Sequence, residues 1–203
     1  MKAYPSISPE INYNETIYAF DKLDGSNVRV EWSSKRGFYK YGSRKRLISP
    51  SENFFGLAYK LVPEKYASLE EIAKSKKWRQ AVFFFEMFGP NSFAGNHSEN
   101  DDIDIVLIDA AVDNRGILPP KEFLKTFQYV PHADMLYHGK ANKTFQDEVR
   151  NGALVGMTFE GVVCKGRIIK PGLPLMFKVK NQAWRDKLKN KFKDDPSKIQ
   201  ELM

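Results

Sequence analysis

Cysteine is nearly absent from this chain: Cys164 is the only one among 203 residues, which excludes an internal disulfide framework and any zinc centre built on several thiolates. Histidine is scarce as well, and His97, His132 and His138 lack the paired spacing of a metal site. No apolar run approaches the roughly 20 residues that span a bilayer, and the opening MKAYPSISPE has no apolar stretch of the secretory kind. The expectation is therefore a cytoplasmic protein in a reducing compartment, with no membrane partner. Internal repeats and low-complexity segments are also missing. Between residues 33 and 51 there is no acidic residue at all, while Lys35, Arg36, Lys40, Arg44, Lys45 and Arg46 place six cations among Phe38, Tyr39 and Tyr41. Such a stretch suits phosphate contacts and base stacking as well as it suits a charged hairpin with a packed aromatic face.

What is present points to one globular unit. Hydrophobic residues make up 42% and charged residues 28%, enough to bury a core. Lys plus Arg exceed Asp plus Glu by 32 to 25, and the resulting +7 charge favours nucleic acid or nucleotides as partners. The first 15 residues, with Pro5 and Pro9, read as an extended lead-in and not as a packed element. Strands are expected at 17–20, from Val28 to Trp32, at 81–88, 103–111, 159–164 and 175–179, the last two joined through Gly166 and Pro171-Gly172 as an antiparallel pair. Helices are expected at 54–61, after Ser68 with a Ser68/Glu71 capping box, at 121–127, at 145–150 and at 182–192. Glu99, Asp101, Asp102 and Asp104 lack calcium-loop spacing and read as a solvated loop. Cys164, beside Val162 and Val163, reads as a buried structural thiol.

Four short segments carry chemistry, and they do so in a fixed order: KLDGSN at 22–27, FEMFGP at 85–90, FEGVV at 159–163 and FKVKN at 177–181. Together they provide a lysine beside a glycine turn, two carboxylates at strand ends, and two lysines on one face of a strand. Transfer of a nucleotide through an amine needs a lysine that can lose its proton, because an ammonium has no lone pair to attack phosphorus. Neighbouring cations, Lys178, Lys180 and Arg44, would lower the pKa of Lys22 and steady phosphate charge. Carboxylates such as Glu86 and Glu160 suit a ribose hydroxyl or a divalent metal.

This ordered set resembles the covalent nucleotidyltransferases, the superfamily of ATP-dependent RNA and DNA ligases and mRNA capping enzymes. Within it, Ser26-Asn27 is similar to the RNA ligase 2 family, and SRKRLISPSENFFG at 43–56 looks like that family's stretch after the nucleophile. The resemblance implies an α+β fold, a ligase-type adenylation domain over residues 1–181 with antiparallel sheets around an ATP cleft. Residues 182–203 are then a basic helix and tail in place of a full second domain. It implies ATP as substrate with Mg2+ or Mn2+, and RNA with 5′-phosphate and 3′-hydroxyl ends as partner. A partner protein replacing the second domain is also implied.

Carried over residue by residue, the resemblance makes Lys22 the AMP acceptor, Glu86 the ribose contact, Glu160 the metal ligand, and Lys178 and Lys180 the α-phosphate contacts. Asn27 would position the metal or the RNA end, and Arg44 the nucleotide or the terminal RNA residue. Asp21 would accept from the exocyclic amine of adenine, which suits ATP better than GTP. Ile108 stands where the family has a base-stacking aromatic residue, and Val162 would pack on the base. The rival readings are a DNA ligase, a capping-type guanylyltransferase and an RNA-binding module without catalysis.

Overall fold

The structure, a computed structural model, describes residues 3–90 and 100–202. His97 and Glu99 lie outside the described residues. Two antiparallel sheets form the framework. The larger one is built from β2 (Ser26–Ser33), β3 (Gly37–Ser43), β4 (Gln80–Phe88), β5 (Asp104–Val112) and β6 (Gly116–Ile117), in the order β3-β2-β4-β5-β6. The smaller contains β1 (Thr16–Asp21), β7 (Met135–Lys140), β8 (Gly161–Lys170) and β9 (Leu173–Lys180), in the order β7-β1-β8-β9. The helices are α1 (Ala58–Tyr66), α2 (Ser68–Ser75), α3 (Pro120–Thr126), α4 (Lys143–Arg150), α5 (Gln182–Lys191) and α6 (Pro196–Leu202). The expected α+β class with antiparallel sheets is the observed one.

Strand alternation divides the apolar residues between two cores. Val28, Val30 and Trp32 of β2 and Phe83, Phe85 and Met87 of β4 pack with Val62, Tyr66, Leu69 and Phe123 from the helices. Ile17 and Ala19 of β1, Val162 and Cys164 of β8 and Phe177 and Val179 of β9 close over Phe145 and Val149 of α4. Cys164 is accordingly fully buried, and burial pushes its thiol well above the ordinary range, which suits a packing residue and not a nucleophile.

Several sequence expectations are corrected here. The Ser68/Glu71 capping box does not form, because the preceding Ala67 keeps helical angles and α2 follows α1 almost without a break. Strand β8 continues past Gly166 to Lys170, with its pairing to β9 shifting register beyond Lys165. Strands β3 and β7, unassigned from sequence, are edge strands of the two sheets. The lead-in is packed at one point: Tyr4 lies against Phe84 with ring centroids 5.0 Å apart and donates to Asp109 Oδ2 at 2.7 Å. Ser8 then bridges Phe177, and its carbonyl accepts from Lys178 N at 2.8 Å, so the segment crosses from the larger sheet to the smaller.

A buried ion pair joins the two sheets. Lys165 of β8 reaches Asp109 of β5 at 2.8 Å, donates to Ile108 O at 2.7 Å, and sits 4.5 Å from the centroid of the Phe20 ring. Removing one member of such a pair strands a buried charge and costs about 3–5 kcal/mol. Lys165→Met should therefore lose stability of that order in urea denaturation. The double variant Lys165→Met/Asp109→Asn should lose clearly less than the sum of the single changes, and strictly additive losses would show that the pair does not join the sheets.

Candidate active site

Between the sheets lies a cleft of about 930 Å3 whose walls include Asp21, Lys22, Asp24, Asn27, Arg44, Glu86, Ile108, Glu160, Val163, Lys165, Lys178 and Lys180. Of the residues singled out from sequence, all but Val162 line it. Val162 is fully buried in the core under α4; with side chains alternating along β8, its neighbour Val163 turns to the cleft instead.

Lys22 follows directly on β1, its backbone N–H donating to Gly161 O at 2.9 Å. The loop to β2 turns at Gly25, where a β-carbon would collide with the Met87 carbonyl, so the turn can lie flat on β4. From this position Lys22 Nζ donates to Glu160 Oε2 at 2.7 Å, and Lys180 Nζ contacts the other oxygen, Oε1, at 2.8 Å. Glu160 is held at the entry to β8 by Gly161, whose φ of +131° and close approach to the Val179 carbonyl admit no side chain. Lys178 and Lys180 share the cleft face of β9, while Phe177 and Val179 face the core.

Glu86 and Asn27 are direct partners across β4 and β2. Asn27 Nδ2 donates to Phe85 O at 3.3 Å, which leaves its Oδ1 buried without a donor. Asp24 Oδ2 is likewise buried and unpaired. Asp21 Oδ1 accepts from Thr158 N at 3.0 Å, and Arg44 reaches across to Ser6 Oγ at 3.1 Å. Sequence reasoning gave no role to Asp24, although it stands inside KLDGSN, nor to Lys165 and Trp184. Trp184 of α5 lines the cleft with Lys180 Nζ 3.6 Å from its ring centroid, and Lys180 also donates to Leu202 O at 2.6 Å. The segment expected as a basic helix and tail over 182–203 thus reaches the cleft through Trp184 of α5 and Leu202 of α6. The signals that would have revealed Trp184 and Leu202 are contacts and have no sequence pattern.

Electrostatics overturn one expectation. Burial pushes the Lys22 ammonium down, but Glu160, Glu86 and Asp24 outweigh it and hold its pKa above the ordinary lysine value. The carboxylates win because Glu160 is in hydrogen-bond contact, whereas the neighbouring lysines are not. Burial would raise Glu160, yet Lys22 and Lys180 keep it below the usual carboxylate range. Burial lowers Lys180 to about 8 and raises Glu86 to about 7 and Asp24 to about 7, Glu160 adding to both.

The carboxylates grouped around Lys22, with Asp24 Oδ2 and Asn27 Oδ1 lacking donors, fit a hard divalent cation, which takes oxygen ligands. Among the described residues no ready-made cage of three or more His, Cys, Asp or Glu converges. A divalent cation can also be held by one or two carboxylates acting together with substrate phosphates.

Groups raised by folding stabilise the protein below their unfolded pKa and lose that contribution as pH rises through the folded one. For Glu86 the window runs from the ordinary 4.5 to about 7, and for Asp24 from 3.8 to about 7; Lys180, lowered to about 8, changes stability only above that pH. In metal-free buffer the melting temperature should fall between pH 5 and 7.5 by on the order of 5 °C. Glu86→Gln should flatten that fall, and an unchanged slope would remove Glu86 as its source.

Comparison with known proteins agrees with the geometry. The RNA ligase family profile matches residues 15–180. Among solved structures, a mutant Naegleria gruberi RNA ligase with AMP and Mn superposes at a TM-score of 0.66 and 17% identity, covering 91% of this chain and 57% of that one. Another mutant of that ligase, with ATP and Mn, gives 0.67 and 16%, covering 96% and 59%. The chain thus spans somewhat more than half the length of the ligases it matches. No curated protein sequence matches it. Among the described residues, no helix is long and apolar enough to cross a membrane. With the family profile covering all four motif segments but for Asn181, the chain belongs to the RNA ligase family.

Proposed function

We propose that the chain is the adenylation unit of an ATP-dependent RNA ligase that works through a covalent lysyl-AMP intermediate on Lys22. The observation that carries this reading is the shared carboxylate: Glu160 is gripped by Lys22 at 2.7 Å and by Lys180 at 2.8 Å inside the cleft, with Lys178 on the same strand face. In the first step the neutral Lys22 amine attacks the α-phosphorus of ATP. The Nζ–P bond forms as the bond from phosphorus to the β-bridging oxygen breaks; the electron pair leaves with pyrophosphate, and one Nζ proton passes to solvent. An oxygen of the RNA 5′-phosphate then displaces Lys22 from AMP. The 3′-hydroxyl of the second RNA end finally displaces AMP and closes the phosphodiester.

Each residue has a task in this scheme. Lys178 and Lys180 bear on the α-phosphate, where charge builds in the transition state. Glu86 takes a ribose hydroxyl, and its raised pKa lets it donate or accept near neutral pH. Ile108 and Val163 pack on the base, Val163 replacing the expected Val162. Asp21 accepts from the adenine amine, and Arg44 contacts the nucleotide or the terminal RNA residue. Lys22 must shed a proton that Glu160, Glu86 and Asp24 hold in place and that Lys178 and Lys180 help to expel. Glu160, with Asp24 and Asn27 close by, would hold a divalent cation, Mg2+ or Mn2+, which supplies positive charge that loosens this grip and screens the phosphates.

Incubation with α-labelled ATP and magnesium or manganese, followed by denaturing electrophoresis, tests the covalent step. Label should remain on the chain and vanish in Lys22→Ala; label retained by that variant would refute the assignment. ATP should be preferred over GTP by at least about tenfold, the usual return on one well-placed buried hydrogen bond. Equal labelling by GTP would favour the capping-enzyme reading.

A further inference from the structure

Trp184 stands outside the four motif segments and just beyond residues 15–180, the span of the family profile, yet it reaches three of those segments. Strand β9 ends at Lys180, and Asn181 starts α5 at once: its backbone N–H donates to Glu160 O at 3.0 Å and its side chain accepts from Ala183 N at 2.7 Å. The first turn of α5 is therefore fixed to the site. The indole is 2% exposed and packs with Leu188, one turn further on, and with Phe159, which directly precedes Glu160. Its ring centroid lies 3.6 Å from Lys180 Nζ. The indole also acts on Asp24 of KLDGSN: burial, then the Glu160 charge, raise that carboxyl to about 7, and Trp184 is among the groups that oppose them.

We infer that Trp184 is a positioning residue of the adenylation step, acting through Lys180; the inference rests on the proposed chemistry at Lys22. In that scheme Lys180 must stay in place and charged in a buried position while still offering its charge to a phosphate. A carboxylate partner holds an ammonium but neutralises it and takes its donors. Glu160 Oε1 does both at 2.8 Å, and the Leu202 carbonyl takes a further donor at 2.6 Å. An aromatic face attracts an ammonium through the ring quadrupole and adds no net negative charge. Trp184 thus fixes Lys180 from one side without cancelling the charge that the α-phosphate is to meet. Glu160 is also shared with Lys22 at 2.7 Å, so movement of Lys22 towards phosphorus pulls at the carboxylate that both lysines hold. The ring is seated separately, against Leu188 and Phe159, and keeps Lys180 in place during that movement. An aliphatic side chain would fill the same space and attract nothing.

The test measures the rate of AMP labelling of the full chain across a series of ATP concentrations. Trp184→Leu should lower the maximal rate at least about tenfold. The ATP concentration giving half that rate should move less than about threefold, because a well-placed cation counts most where charge builds on the phosphate. Trp184→Phe, which keeps an aromatic face, should recover most of the loss, with urea denaturation checking that both variants are folded. A packing role would instead make the rate follow stability, whichever side chain is present. The sharpest comparison is a cycle with Lys180→Met: where no ammonium remains to be held, Trp184→Leu should slow the residual labelling less than about twofold further. A full tenfold loss in that background, or equal rates for the Phe and Leu variants, would overturn the inference and leave the lysyl-AMP reading standing. Should Trp184→Leu fail to fold, the cycle with Trp184→Phe decides in its place: a rate loss that vanishes beside Lys180→Met supports the inference, and one that persists overturns it. Absence of label from the unaltered chain would sink both readings together.

Discussion

Glu160 accepts from two lysines at once, Lys22 and Lys180, at 2.7 and 2.8 Å, and the organisation of the site depends on this shared carboxylate. It joins the end of β1, the start of β8 and the end of β9 at one point. It also fixes the charge state of the cleft, because a buried carboxylate between two ammonium groups lowers its own pKa and raises that of Lys22. Burial of a lone charge at this place would be prohibitive, whereas a paired and hydrogen-bonded cluster persists.

The fold supports that arrangement through backbone choices made at some distance from it. Gly161 brings the chain against the Val179 carbonyl, where any side chain would clash, and so delivers Glu160 between the lysines. Gly25 does the corresponding work for Lys22 by lying against Met87. Behind them, Lys165 and Asp109 pin the two sheets with a second buried pair, and Tyr4 adds a hydrogen bond to the same aspartate. The cleft is thus walled by charged networks whose members satisfy one another, with Asp24 and Asn27 keeping buried atoms unpaired. Unpaired polar atoms are costly in a protein interior and concentrate where ligands are received.

Charge in the cleft is mixed. Glu86, Asp24 and Glu160 crowd around Lys22, Arg44, Lys165, Lys178 and Lys180 add cations, and apolar groups such as Ile108 and Val163 lie on the walls. The segment Tyr4–Ile7 and the residues Trp184 and Leu202 approach the same cleft from the two ends of the described chain, so both terminal segments share in shaping it.

The ordered motifs KLDGSN, FEMFGP, FEGVV and FKVKN were legible in the sequence, and so were the strands that carry them, because period-two alternation and a glycine beside each turn are local patterns. The α+β class and the RNA ligase resemblance followed from that order. Parity between neighbouring valines was not legible: Val162 and Val163 are both apolar, and only the register of β8 against β1 and β9 sends one to the core and the other to the cleft. Nor was the raised pKa of Lys22, which depends on a 2.7 Å contact between residues 138 positions apart. The packing of Tyr4 and the approach of Trp184 to Lys180 were likewise decided by tertiary structure alone. The sequence determined which groups could do chemistry and on which strands they stand; distance, burial and the company each charge keeps arise only when remote segments meet.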